Sequence, residues 1–189
     1  IIMKKINFVL PVYKEEEAVS IFNAALFKVL NSLKEYKFEV IYVLDKSPDK
    51  TLEILKNLAD ENKQIRVLCL SNRFGYQNSI IAGLCKCDGD AIIIMDADLE
   101  HPPELIPVLL EKFEQGYEII HTVRTYPTKV SFFKRYTSKC FYKFLNMLAP
   151  IDFIEDSEDF RLISKRVAEV FTGQIKEQNQ FLRGLFQWV

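Results

Sequence analysis

The sequence lacks any run of 18 apolar residues, so no segment of it has the makings of a membrane-spanning helix. It also lacks charge imbalance. Its 25 Lys and Arg offset 26 Asp and Glu to leave −1, which excludes a nucleic-acid or membrane partner held by bulk electrostatics and requires any basic site to be local. Cysteine is scarce. Of Cys69, Cys85, Cys87 and Cys140 only two are close, and the two histidines, His101 and His121, stand 20 positions apart. Neither set has zinc-ligand spacing, and reduced thiols in the cytosol are the reading that fits. No catalytic role is assigned to either histidine, and His121, on a strand, is expected in the core. There is no repeat, no low-complexity tract and no Gly/Ser linker. The start, "IIMKKINFVLPVY", has no small-residue cleavage site and runs into a strand pattern, so it does not read as a signal peptide. What the chain does have is a 49% hydrophobic composition rich in Phe, ample for one domain of 189 residues.

Short apolar runs alternate with helical patterns. The runs are Ile6–Val12, Phe38–Leu44, Ile65–Leu70, Ala91–Met95 and Tyr117–Val123. The intervening spacing predicts helices over Glu16–Tyr36, Leu52–Ala59, Ser79–Leu84 and Pro103–Gln115, the last with proline in its first turn. Strand and helix in alternation imply an α/β fold with a mostly parallel sheet and helices on both faces. After Val123 the pattern changes to a loop "RTYPTKV", a helical stretch Ser131–Leu148, an irregular segment "PIDFIEDSEDFRLI" closing into a strand, and two short helices. One domain is expected over 1–189, with 1–123 as a nucleotide-binding part and 124–189 as a smaller accessory part.

Ligands of open parallel sheets bind beyond the carboxyl ends of the strands. Those ends carry Pro11, Tyr13 and Glu15, then Asp45, then Arg73, then Asp96 and Asp98. Polar residues from distant parts of the chain therefore converge on one edge. In "AIIIMDADLEHPPE" a buried strand runs straight into two carboxylates one residue apart. Residues i and i+2 of an extended segment point the same way, roughly 6–7 Å apart, so Asp96 and Asp98 can share one cation, with Glu100 extending the row. Hard oxygen donors suit Mg²⁺ or Mn²⁺. The competing reading is a helix cap, in which Asp98 or Glu100 only starts the helix at Pro103. There is no Gly-x-x-x-x-Gly-Lys-Ser loop, which excludes a P-loop NTPase.

Several blocks together resemble family 2 glycosyltransferases of the GT-A fold. They are "LPVYKEEE", "VLDKSPDKT", "LSNRFGYQNSIIAGL" and "GDAIIIMDADLEHPPELIPVLLEKFEQGYEII". "DSEDFRL" and "NQFLRGLFQWV" resemble later blocks of the polyprenyl-phosphate branch, which includes dolichyl-phosphate mannose synthase and the bactoprenol glucosyltransferases. The resemblance implies a metal-dependent inverting transfer of a sugar from a nucleotide donor, UDP rather than GDP, to a polyprenyl phosphate. It implies Asp45 on the nucleobase and ribose, the chain at Pro11–Tyr13 flanking the base, and Asp96 and Asp98 on the metal and diphosphate, with Glu100 a third ligand. The candidate nucleotide contacts are Pro11, Tyr13, Glu15, Asp45, Arg73 and Asp96. Departures fall mainly on base recognition: Leu44 and Lys46 replace Asp and Gly, Lys14 replaces Asn, and Asn72-Arg73 reverses the usual order. In addition, His101 stands where Asp is common.

An anionic acceptor hardly needs a general base but does need cations. Arg124, Lys134, Arg135, Arg161 and Arg183 are available, and Arg161 and Arg183 stand in the two late blocks. Asp159, then Asp156, are the candidates for a base or acceptor-orienting group. The plainer alternative is an ion pair of Asp159 with a neighbouring cation at the surface. Ser131–Leu148 mixes aromatic and basic residues at helical spacing, and either lies on an anionic membrane surface or packs on its own sheet. In the branch resembled, membrane helices often follow "FLRGLFQWV", so a chain cut short there, or one that docks without spanning, is expected. The resulting location is cytoplasmic, at the inner face of the membrane. Two other readings remain: transfer to a glycan hydroxyl, and a non-catalytic nucleotide-sugar-binding domain.

Overall fold

The computed structural model describes residues 3–123, 157–175 and 182–188. Six strands form one sheet: β1 (Lys4–Val12), β2 (Tyr36–Leu44), β3 (Ile65–Cys69), β4 (Ala91–Ile94), β5 (Ile119–Val123) and β6 (Ser157–Ser164), in the order β3-β2-β1-β4-β6-β5. β1 to β4 are mutually parallel. β6 enters antiparallel between β4 and β5, with Arg161 opposite Ile94 on one side and His121 on the other. The helices are α1 (Val19–Leu30), α2 (Thr51–Glu61), α3 (Tyr76–Leu84), α4 (Ile106–Glu114), α5 (Lys165–Glu169) and α6 (Leu182–Trp188).

Two cores explain why the strands read as unbroken apolar runs. Along β1, Ile6, Phe8, Leu10 and Val12 point to one face and meet Phe22 and Leu26 of α1, Leu55 of α2, and Leu109 and Leu110 of α4. Val9 points to the other face, with Ile80 and Leu84 of α3, Val167 of α5 and Phe186 of α6. Every β1 side chain from Ile6 to Val12 is buried, so the alternation that marks a half-wet sheet cannot appear. Each fully buried Leu, Ile or Phe in these layers contributes about 1.5–3 kcal/mol.

α3 lies unusually close to the sheet. A Cβ on Gly83 would stand 2.4 Å from Val9 Cγ1 and 3.0 Å from Val43 Cγ2, so glycine sets the approach. The first helix is shorter than its periodicity predicts. Hydrogen bonds from Asn31 N–H to Phe27 O and from the Ser32 hydroxyl to Val29 O close it. Tyr36, predicted as its last turn, instead starts β2, where its ring lies 6.0 Å from that of Phe38. α3 starts at Tyr76, three residues before the predicted Ser79, which brings its first turn to the sheet edge. The predicted helix Ser131–Leu148, and with it Arg124, Lys134 and Arg135, lies outside the described residues, as does Asp156.

Candidate active site

The carboxyl ends of β1, β2, β3 and β4 open into a cleft of ≈ 280 Å³ lined by Pro11, Val12, Tyr13, Glu15, Asp45, Arg73, Gly75, Tyr76, Ser79, Asp96, Ala97 and Asp98. All six candidate nucleotide contacts and both aspartates of the Asp-x-Asp pair therefore share one space. A shallower hollow of ≈ 460 Å³ adjoins it at Glu15, lined by Lys14, Glu16, Glu17, Ala18, Pro48 and Asp49. It is mostly acidic and lacks the converging strand ends.

Two loops are tied together beside the cleft. Lys14 N–H donates to Ser47 Oγ and Glu15 N–H to Thr51 Oγ1, each at 3.0 Å, while Lys50 N–H donates to Glu16 Oε2 at 2.9 Å. Asp49 accepts from the Ser47 and Thr51 hydroxyls. "KSPDKT" is thus a clasp between the loops after β1 and β2, and Lys14 takes φ +59 within it. Asp45 is buried, and its two carboxylate oxygens accept the N–H groups of Phe74 and Gly75, each at 2.8 Å. Gly75, at φ +86, is a turn that side chains rarely allow, and it leads into α3. Asp45 therefore shapes the β3–α3 loop as well as lining the cleft. Tyr13 also lines the cleft. The Arg73 guanidinium lies 4.2 Å from its ring centroid and Lys14 Nζ 5.5 Å.

The carboxylates repel one another. Burial raises the pKa of Asp96, and Asp98 and Asp159 push the same way against the Tyr76 hydroxyl hydrogen bond. Burial, then Asp98, Asp49 and Asp96, likewise raise that of Glu15. Burial and the Asp96 and Asp159 charges hold the Tyr76 phenol protonated far above its ordinary range. Partly desolvated negative charge gathered from three loops is an arrangement that a divalent cation relieves. Asp98 Oδ1 accepts Glu100 N–H at 2.9 Å. The Glu100 side chain does not complete a trio: among the described residues no three acidic, His or Cys side chains converge in a metal-binding cluster. The donor set offered is thus a pair.

On the far side, Asp159 Oδ1 meets Arg161 Nη2 at 2.8 Å. The ion pair that stood as the alternative to a base is thus present, but it is sunk in the sheet and not at the surface, since Arg161 is 2% exposed, with its guanidinium 4.6 Å from the Phe186 ring centroid. Asp159 acts on the charges of Asp96 and Tyr76, so β6 carries its ion pair to the edge of the cleft. Arg183 lies in α6, and its side chain is outside the described set. His121 is half-buried. Its Nδ1 is enclosed and has no hydrogen-bond partner among the described residues.

The residues that sequence reasoning missed are Tyr76, Ser79 and His101. The first two follow from the earlier start of α3. His101 accepts the backbone N–H of Asp96, a main-chain contact for which residue spacing gives no signal.

The family model described as glycosyl transferase family 2 matches residues 8–171. The chain belongs to glycosyl transferase family 2. An uncharacterized glycosyltransferase of Bacillus subtilis is 38% identical over 97% of this chain and 56% of its own length. A bactoprenol glucosyl transferase of Shigella phage SfV is 35% identical over 98% of this chain and 60% of its own length. The chain thus spans little more than half of these family 2 relatives. Among solved structures, a Pyrobaculum calidifontis mannosyltransferase in complex with GDP-Man and Mn²⁺ superposes with a TM-score of 0.62 at 15% identity, over 89% of this chain and 46% of that one. The family 2 fold of the chain agrees with the GT-A architecture expected from its sequence. Among the described residues no helix is long and apolar enough to cross a membrane.

Proposed function

We propose that the chain is the catalytic part of a metal-dependent, inverting glycosyltransferase that moves a hexose-type sugar from a nucleotide donor, UDP-linked rather than GDP-linked, to a polyprenyl phosphate at a membrane surface. The observation that carries the reading is the lining of one cleft by Asp96 and Asp98 together with Pro11, Tyr13, Asp45 and Arg73. The name of the bactoprenol glucosyl transferase relative supports the lipid acceptor and the hexose.

The site fits Mg²⁺ or Mn²⁺. Such ions are commonly held by one or two carboxylates plus substrate phosphates, and the cleft presents two, Asp98 at its exposed rim and Asp96, whose charge burial disfavours. When bound there, the ion would neutralise the charge that grows on the departing diphosphate. The protein's own groups do the rest. Tyr13 and the Asp45-held loop form walls for the base and ribose. Arg73, stacked on Tyr13, offers a cation beside the strand ends. Arg183 is the proposed contact for the acceptor phosphate, while Arg161, 2% exposed and paired with Asp159, sits behind the cleft edge and acts on the acceptor by its charge and not by contact. A phosphate acceptor arrives as an anion, so no proton need leave it during attack.

The test is transfer of labelled sugar from UDP-glucose and from GDP-mannose, with Mn²⁺ and a detergent-solubilised polyprenyl phosphate. Label in the lipid from the UDP donor is the expected result. Label only in a soluble glycan acceptor would overturn the acceptor assignment.

A further inference from the structure

The turn that carries the two aspartates is anchored by a residue outside it. β4 ends at Ile94, and beyond Met95 the chain leaves the ladder. The backbone N–H of Asp96 is not paired with a strand. It donates to Nδ1 of His101 at 2.9 Å, and the same nitrogen stands 3.7 Å from Asp96 Oδ2. An imidazole nitrogen that accepts an N–H carries no proton, so the tautomer is Nε2–H. The ring is 4% exposed. It stacks on Phe160, centroids 5.5 Å apart and planes 30° from parallel. Phe160 is fully buried in β6, between Asp159 and Arg161. The turn itself takes an uncommon path, with Leu99 at φ +68. A residue held there needs its surroundings to over-determine it.

We propose that His101 is a positioning residue for the carboxylate pair. Its Nδ1 fixes the main chain of Asp96, and its ring, through Phe160, ties that turn to the strand bearing Asp159 and Arg161. Donor and acceptor sides of the cleft are thereby set in one frame. An apolar side chain of the same shape could pack on Phe160 but would leave the Asp96 N–H without its acceptor, an expensive loss in a partly buried site. The inference rests on the proposal above that Asp96 and Asp98 hold the divalent ion.

Two substitutions separate the acceptor from the ring. His101→Phe keeps a ring for Phe160 and deletes the acceptor. His101→Asn deletes the ring but keeps an acceptor oxygen at the position of Nδ1. UDP binding to the chain is measured by calorimetry with and without Mn²⁺, beside thermal melts and the control Asp98→Asn. The expected pattern is a loss of about 10- to 100-fold in Mn²⁺-dependent UDP affinity for His101→Phe, the scale seen when groups orienting metal ligands are removed. Affinity should be largely restored in His101→Asn although that variant melts lower. Wild-type affinity in His101→Phe with a loss in His101→Asn would overturn the proposal and leave the ring with packing alone. Wild-type binding in Asp98→Asn would sink the metal assignment instead, which is a separate failure. Should His101→Phe not fold, the ¹⁵N spectrum of the labelled wild-type chain decides. An unprotonated Nδ1 with a protected Asp96 amide supports the role, and an Nδ1–H tautomer refutes it.

Discussion

Substitution of Asp45 by Asn separates two jobs that one carboxylate can do. By resemblance Asp45 contacts the nucleobase and ribose, yet both its oxygens already accept main-chain N–H groups, from Phe74 and Gly75, at 2.8 Å. An amide offers only one oxygen. In Asp45→Asn one N–H keeps a weaker, uncharged partner and the other faces an NH₂ group. A hydrogen bond to a charged acceptor contributes roughly 1.5–3 kcal/mol, and an unsatisfied buried donor costs about 1–3 kcal/mol. The side chain is buried at 4% exposure, so water offers little relief. The expected loss is about 3 kcal/mol, which for a chain of this size lowers the melting temperature by about 6–12 °C. Circular dichroism melts check the stability, and calorimetric UDP titration in the same samples checks the ligand. The structure predicts that both fall, because the β3–α3 loop and the first turn of α3 lose their anchor. A variant that loses UDP binding yet melts within about 1 °C of the parent would refute the clamp and leave a pure ligand contact.

Gly83→Ala drives a methyl into Val9 Cγ1 at 2.4 Å and should cost about 1–3 kcal/mol in chemical denaturation. Val9→Ala in the same background should recover part of that loss, and additive penalties would contradict the steric account. Burial, and then the Arg161 charge, lower the pKa of His121 from 6.5 to about 4. The native state thus binds fewer protons than the unfolded chain between these values, so stability falls as pH drops from about 6.5 to about 4. Discounted for partial exposure, the effect is on the order of 1–2 kcal/mol. His121→Gln should flatten that limb of the urea-melt pH profile, and an unchanged limb would count against it.

The parallel strands were legible because helices cover both faces of the sheet, so Phe8, Val9 and Leu10 are all buried and all apolar. β6 was harder to read. Its sequence, "SEDFRLIS", holds Asp159 and Arg161 in the middle of a strand, where their ion pair and the Phe186 ring accompany a guanidinium at 2% exposure. Local periodicity carries no information on such long-range pairing, nor on the insertion of β6 between β4 and β5. The end of α1 was misjudged for a related reason. Leu33 and Tyr36 continue the helical stripe, but Tyr36 belongs to an aromatic group with Phe38. At the site, Asp96 and Asp98 stand out as charges placed after a buried strand. Asp45 was found with part of its task hidden, since its partners are main-chain N–H groups some 30 residues away. His101 and Tyr76 were missed because each hydrogen-bonds Asp96, a contact that residue spacing does not reveal.

The most direct measurement is calorimetric titration of UDP and GDP into the chain, with and without Mn²⁺, beside the same titration of Asp98→Asn. UDP is expected to bind, binding to require the metal, and the substitution to abolish the metal dependence. Equal binding without Mn²⁺, or an Asp98→Asn variant indistinguishable from the parent, would contradict the assignment of the carboxylate pair.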